Sequence, residues 1–278
     1  MSDEASIRDA LRVRPDAVDL SACDTAATPH APGKKTKTLE ATQSIGPVLA
    51  GLQERLWAEG RRSVLLLLQG IDTAGKGGVV THVVGMFGPE GVKITAFKKP
   101  TAEEAAHHFL WRIRKALPPR GVVGVFDRSH YEDVLVPRVH KTMPEEQWRR
   151  RYGEINAFEA DLAAGGTTVV KCFLHVGYAE QRERLLARLD DPTKHWKFRE
   201  ADIDERAFWS DYQDAYAEML HECSTEHSPW YVVPSDHKWY RNWAFSQILR
   251  EVFDELDPQY PQANLDVARL RERLQPPH

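Results

Sequence analysis

The chain has 278 residues, 42% of them hydrophobic and 28% charged, with a formal net charge of −4. That length buries a full core and suits one large α/β domain better than two small ones. The slight acidity excludes a global attraction to nucleic acid or to an anionic membrane, so a polyanionic ligand must be met by local clusters of Lys and Arg.

Cys23, Cys172 and Cys223 are odd in number and far apart, which argues against a disulfide framework or a CxxC zinc site. The N-terminus carries Asp3 and Glu4 with no apolar h-region, and no segment reaches bilayer length, so a cytoplasmic chain is expected. Residues 1–42 read as an irregular N-terminal extension, a surface arm rather than a domain, broken by Pro15, Pro29, Pro32 and Gly33. Lys34, Lys35 and Lys37 within it read as a solvated face. Val48, Leu49, Leu52 and Leu56 then fall at helical spacing across Ile45–Trp57, and Gly60 ends that helix.

The most informative stretch is Ser63–Gly78, SVLLLLQGIDTAGKGG. Val64 to Leu68 is an unbroken apolar run of the length of a strand buried on both faces. A glycine-punctuated turn and a helix-compatible stretch follow it, which is the sequence form of a phosphate-binding loop. Gly70 and Gly75 free backbone N–H groups to turn inward, the new helix N-terminus adds positive potential, and Lys76 carries a cation to the outer phosphates. The hydroxyl residue that usually follows the lysine and reaches magnesium is replaced here by Gly77. Asp72 lies inside the loop, where a carboxylate repels phosphate unless a divalent cation separates them. Asp72 reads equally as a metal contact or as the side chain of an Asx-type turn.

Val92–Phe97 is the second expected strand. Thr101 and Glu104 form a capping-box pattern opening a helix to Leu117. His107 and His108 on that helix are adjacent, point to different faces and cannot readily chelate one ion. Val122–Phe126 is the third strand, running into Asp127-Arg128-Ser129-His130-Tyr131-Glu132-Asp133. Phosphate-loop enzymes hold magnesium on an acidic residue at a strand's carboxyl end, and ligands of open α/β sheets gather there. Asp127 and Lys76 are therefore expected to converge, with Arg128 either meeting phosphate or balancing Asp127.

A charged helix is expected over Met143–Leu162, a fourth strand over Thr167–Val176 and a short fifth over Pro229–Pro234. Between the last two, Arg184 and Arg188 share a helix face. With Lys194 and Lys197 they read either as a solvated surface or as a cationic wall. Asp202–Leu220, Trp239–Leu256 and Leu265–Leu274 are expected helices. Alternating strands and helices predict a parallel sheet covered on both faces.

The motifs GIDTAGKGG, FKKPT, FDRSHYEDVLVPRVH, RLDDPTKHWKF and WYVVPSDHKWYRNWA together resemble the polyphosphate kinase 2 family over roughly Gln43 to Tyr260, closest to its single-domain third class. The resemblance implies a three-layer α/β/α phosphate-loop kinase fold over residues 43–278. It implies a mostly parallel five-stranded sheet and a helical lid, with lid elements around 138–165 and 181–200. It further implies reversible, Mg2+-dependent phosphoryl transfer between inorganic polyphosphate and nucleoside mono- or diphosphates, with no nucleic-acid or membrane partner and a possible homo-oligomer. Carried over, Lys76, Asp72, Asp127 and Arg128 are the catalytic set. Gly70, Thr73, Ala74, Gly75, Gly77, Gly78, Lys98, Glu132, Arg184, Arg188, Lys194 and Lys197 are the phosphate- and nucleotide-binding set. Asn often stands in this subgroup where Asp127 stands here, which leaves the metal contact open among Asp72, Asp127 and Asp133. An ATP-dependent nucleoside monophosphate kinase and a non-catalytic nucleotide or phosphate sensor are the alternative readings.

Overall fold

The structure, a computed structural model, describes residues 6–275. Its organising strand is β1 (Ser63–Gln69), in which Val64 to Leu68 are all completely buried. Successive strand residues face opposite sides of a sheet, so this run requires cover on both faces. β2 (Val92–Ala96), β3 (Val123–Asp127), β4 (Thr167–His175) and β5 (Trp230–Pro234) complete a five-stranded sheet in the order β2-β3-β1-β4-β5. All four pairings are parallel, where a mostly parallel sheet was expected.

One group of helices comprises α1 (Ile7–Leu11), α2 (Lys35–Glu59), α3 (Lys76–His82) and, later in the chain, a long helix at Lys238–Leu256, against which the first three pack. Short helices α4 (Ala102–Ala105) and α5 (Leu110–Ala116) follow β2. A second mutually packed group is α6 (Glu132–Val139), α7 (Glu145–Ala164) and a helix at Trp209–Cys223. In chain order the remaining helices are α8 (Tyr178–Leu189), α9 (Ala201–Asp204), α10 (Trp209–Cys223), α11 (Lys238–Leu256) and α12 (Val267–Arg273).

The N-terminal stretch differs from the expected surface arm. Ile7, Leu11 and Leu20 are buried in the core, and Val13 N–H donates to Trp230 O at 2.8 Å on the edge strand. Helix α2 begins at Lys35, so it runs across residue 42. Its first buried positions are Thr38 and Thr42, whose hydroxyls donate to Gly33 O and Thr38 O. Polar residues on the packed face hide the apolar periodicity that would have announced the helix.

The capping box at Thr101 and Glu104 is present, but it opens only the one-turn α4. The chain restarts as α5, with the His107 ring stacked 4.1 Å from Trp111 and His108 bonded to Glu154. The expected helix over 202–220 is likewise divided, into α9, a 3-10 turn and α10. Of the two lid segments, 138–165 is mostly α7, and its Ile155, Phe158 and Glu159 are buried against β4. That helix is a wall of the core. The segment 181–200 comprises most of α8 and a 3-10 turn over Pro192–Lys197, both outside the sheet.

Candidate active site

The loop between β1 and α3 is built on unusual backbone geometry. Gly70 (φ +147°) and Gly75 (φ +114°) occupy conformations open mainly to glycine. At Gly70 an added Cβ would meet Leu174 O at 2.7 Å. Thr73, a β-branched residue, is held at φ +67° with its buried hydroxyl oxygen unbonded. Strain of this kind costs about 1–3 kcal/mol and concentrates at functional sites.

Lys76 opens α3 and folds back into the loop, where its Nζ donates to Gly70 O at 2.6 Å and to Ile71 O at 3.3 Å. Burial lowers its pKa, the Arg128 guanidinium pushes it the same way, and Asp72, Asp127 and Glu132 oppose both. The ammonium is thus desolvated and held within reach of acids from two strand tips.

Asp127 ends β3 directly beside Leu68 in the sheet register. The chain then turns sharply: Arg128 sits at φ +66°, and its backbone N–H donates to Leu68 O at 3.0 Å. This turn aims the guanidinium at the loop, where Nη2 donates to Asp72 Oδ1 at 2.5 Å and Nη1 to Glu132 Oε2 at 3.0 Å. Glu132 also accepts from Gln69 at 3.0 Å. Burial pushes the Asp72 carboxyl up, but Lys76 and Arg128 outweigh it and leave the pKa below its ordinary value. Glu132 and Asp72 hold Arg128 firmly charged against its burial. Asp72, Arg128 and Glu132 border a cavity of about 220 Å³ that continues to His140, Tyr212 and Tyr216.

A family model described as polyphosphate kinase 2 matches residues 33–262. The chain belongs to the polyphosphate kinase 2 family. It is 45% identical over 252 residues to an AMP/ADP-polyphosphate phosphotransferase of Meiothermus ruber, covering 90% of this chain and 94% of that one. Identity to an ADP-polyphosphate phosphotransferase of Rhodopseudomonas palustris is 44% over 239 residues, 82% of each chain. The crystal structure of a polyphosphate kinase 2 from Arthrobacter aurescens superposes with a TM-score of 0.95 at 46% identity, covering 99% of this chain and 98% of that one.

Not every residue that the polyphosphate kinase 2 resemblance points to comes together at the loop. Arg184 is buried, and every donor of its guanidinium is taken: Nε by Glu180, Nη1 by Thr73 O and Ala74 O, Nη2 by Ser235 O and Asp236 O. It fastens the loop to α8 and to the turn after β5, and leaves no N–H for phosphate. Arg188 donates to Lys197 O, Lys194 pairs with Asp191, and the exposed Lys197 lies over the Trp196 ring. These three lie on or beside the 3-10 turn, and Arg188 also reaches Asp202, which lines the cavity, at 3.7 Å. Lys98 is exposed, and its backbone carbonyl accepts from Arg112.

Among the described residues, no three His, Cys, Asp or Glu side chains cluster as a metal site. Asp72 and Asp127 are the carboxylates whose charge reaches Lys76 most strongly. Such a pair suits Mg2+, which is commonly held by one or two carboxylates together with substrate phosphates. Asp133 is turned away from them: its carboxylate pairs with Arg112 at 2.9 Å, and burial raises its pKa in spite of that partner.

Two site residues escaped the sequence reading. Gln181 donates to Asp72 O at 3.0 Å, and Arg241 lies against the last turn of the loop. The only sequence signal for Arg241 is its place in the SDHKWYRNWA motif.

Proposed function

We propose that this chain transfers phosphoryl groups between inorganic polyphosphate and nucleoside mono- or diphosphates, with Mg2+. The observation that carries this reading is the convergence of the strained loop, the buried Lys76 and the Asp127–Arg128 turn. It occurs in a chain 45% identical, over nearly its whole length, to an AMP/ADP-polyphosphate phosphotransferase.

The reaction needs no protein nucleophile. A phosphate oxygen of the acceptor attacks the terminal phosphorus of the donor, and the bond to the donor's bridging oxygen breaks. The loose transition state spreads charge over the equatorial oxygens. Lys76, delivered by α3, neutralises those oxygens alongside the backbone N–H groups of Gly75 to Gly77. Arg128 is preset by its turn to swing between Asp72 and an incoming phosphate. The nucleotide occupies the cavity bounded by Arg128, His140, Tyr212 and Tyr216, whose rings give its base an apolar wall. Asp72 and Asp127 would hold Mg2+, which when bound would supply further neutralisation of phosphate charge.

The deciding experiment supplies the purified protein with polyphosphate, Mg2+ and ADP or AMP, with no other nucleotide, and measures ATP or ADP formed. Turnover supports the reading. Strict dependence on ATP as donor would make the chain a nucleoside monophosphate kinase, and tight Mg2+-dependent binding without turnover would make it a sensor.

A further inference from the structure

Residues 20–31 are tied down by side chains at three points near the carboxyl ends of β4 and β5. Leu20 O accepts from His175 Nε2 at 3.2 Å, Thr25 Oγ1 donates to Asp236 Oδ2 at 2.6 Å, and Pro29 O accepts from the Tyr240 hydroxyl at 3.1 Å. The backbone adds a fourth tie, in which Thr25 O accepts from Asp236 N at 3.1 Å. Leu20, His175 and Tyr240 are all buried.

Asp236 passes this hold on to α8. Its second carboxylate oxygen, Oδ1, accepts from Gly177 N at 2.8 Å. Gly177 is the residue that opens α8, and that helix has no capping side chain of its own. A carboxylate placed at a helix N-terminus is favoured by the helix dipole as well. Gly177 sits at φ −73°, which any residue adopts, so its backbone does not require glycine. What a side chain would take there is room. A Cβ would lie 3.0 Å from Thr25 Oγ1 and 3.2 Å from Asp236 Oδ2.

Helix α8 in turn grips the phosphate loop by its carbonyls. Gln181 donates to Asp72 O at 3.0 Å, and Arg184 donates to Thr73 O at 3.0 Å and to Ala74 O at 2.9 Å. The same guanidinium donates to Asp236 O at 2.9 Å. In a trans peptide the C=O and the next N–H point in opposite directions. Drawing these three carbonyls toward α8 therefore turns the N–H groups of Thr73, Ala74 and Gly75 the other way. Ala74 N–H is spent on Ile71 O at 3.1 Å, while those of Thr73 and Gly75 have no acceptor among the described residues.

Resting on the proposed function for the reaction itself, we infer that residues 20–31 are a strap that sets the orientation of the phosphate-loop peptides, with Thr25 and Asp236 as its positioning residues. The strap holds Asp236, Asp236 holds the start of α8, and α8 holds the loop carbonyls so that free N–H groups face the phosphate oxygens. Thr25 and Asp236 act through α8 and not by contact with a substrate. The N-terminal segment thereby has a part in turnover beyond the core packing of Ile7, Leu11 and Leu20.

The test compares Thr25→Val, which keeps the shape and removes the hydroxyl, with Thr25→Ser, which keeps the hydroxyl. Three quantities are read in the full chain: kcat with polyphosphate and ADP, the melting temperature, and amide hydrogen exchange at Gly177, at Ala74 and along β1. Thr25→Val is expected to lower kcat roughly tenfold, as for loss of one hydrogen bond to a charged group. Exchange at Gly177 and Ala74 should quicken by a similar factor while β1 stays unchanged, and Thr25→Ser should restore both. Unchanged kcat and unchanged Ala74 exchange in Thr25→Val would overturn the strap. A lowered melting temperature with exchange quickened equally in β1 and the loop would also overturn it, by making Thr25 a purely structural contact. Failure of the wild-type protein to use polyphosphate would overturn the proposed function instead, and the exchange comparison would still decide the strap.

Discussion

Arg128 and Asp72 meet at 2.5 Å although 56 positions separate them. The contact exists because the parallel pairing of β1 and β3 brings Leu68 and Asp127 side by side, and because Arg128 then takes a left-handed turn. One guanidinium thereby holds both the loop carboxylate and Glu132.

Arg128→Lys retains the charge but cannot reach both acids with a planar fork. We expect kcat to fall by about a hundredfold, equivalent to about 3 kcal/mol of lost transition-state stabilisation. The pair is partly exposed, so its share of folding stability is small and the melting temperature should move little. A steady-state assay beside a thermal melt checks both, and an unchanged kcat would remove Arg128 from the catalytic set.

Arg184→Lys tests whether that residue is a fastener or a phosphate contact. Four of its five hydrogen bonds go to backbone carbonyls at the loop and at Ser235–Asp236, which a lysine cannot replace together. The expected cost is about 2–4 kcal/mol of stability, read from denaturant unfolding. Unaltered stability with a raised polyphosphate KM would restore the phosphate role.

Gly77 and Gly78 should respond oppositely to a side chain. A Cβ at Gly77 meets nothing within 4 Å, so Gly77→Ser should stabilise α3 by about 0.5 kcal/mol through helix propensity. A Cβ at Gly78 must displace Arg241, so Gly78→Ala should lower both stability and activity. Equal melting temperatures for the two variants would contradict the packing described for Arg241.

A buried network supports the turn that carries Arg128. Glu159 accepts from Lys171, Tyr131 and Ser228 and bonds His130, all fully buried. Burial alone would raise its pKa, but Lys171 and His130 bring it down to about 2 from an ordinary 4.5. A depressed folded-state pKa stabilises the fold above the unfolded value, and that stability is lost as pH falls from about 4.5 toward about 2. The melting temperature should therefore drop across this range. Glu159→Gln should flatten that limb and cost about 3–5 kcal/mol at neutral pH by leaving Lys171 buried without its counter-ion. A melt series from pH 2 to pH 7 in both proteins checks this.

The local chemistry was legible in the chain itself. An apolar run, a glycine turn and a lysine are contiguous, and their meaning depends on backbone propensities acting over a few residues. For the same reason the five strands lie within a residue or two of where alternation and breakers put them. The start of α2 at Lys35 was not legible because Thr38 and Thr42 take core positions that the pattern assigns to apolar side chains. What the linear order left open was which cations remain available to an anion. Arg184 and Arg241 look alike as residue types, yet Arg184 spends its donors on carbonyls up to 111 positions away, while Arg241 lies on two glycines with no acid beside it. Hydrogen-bond satisfaction and charge compensation depend on partners brought together across the sheet, so only the tertiary structure could separate the saturated guanidinium from the one left without an acid.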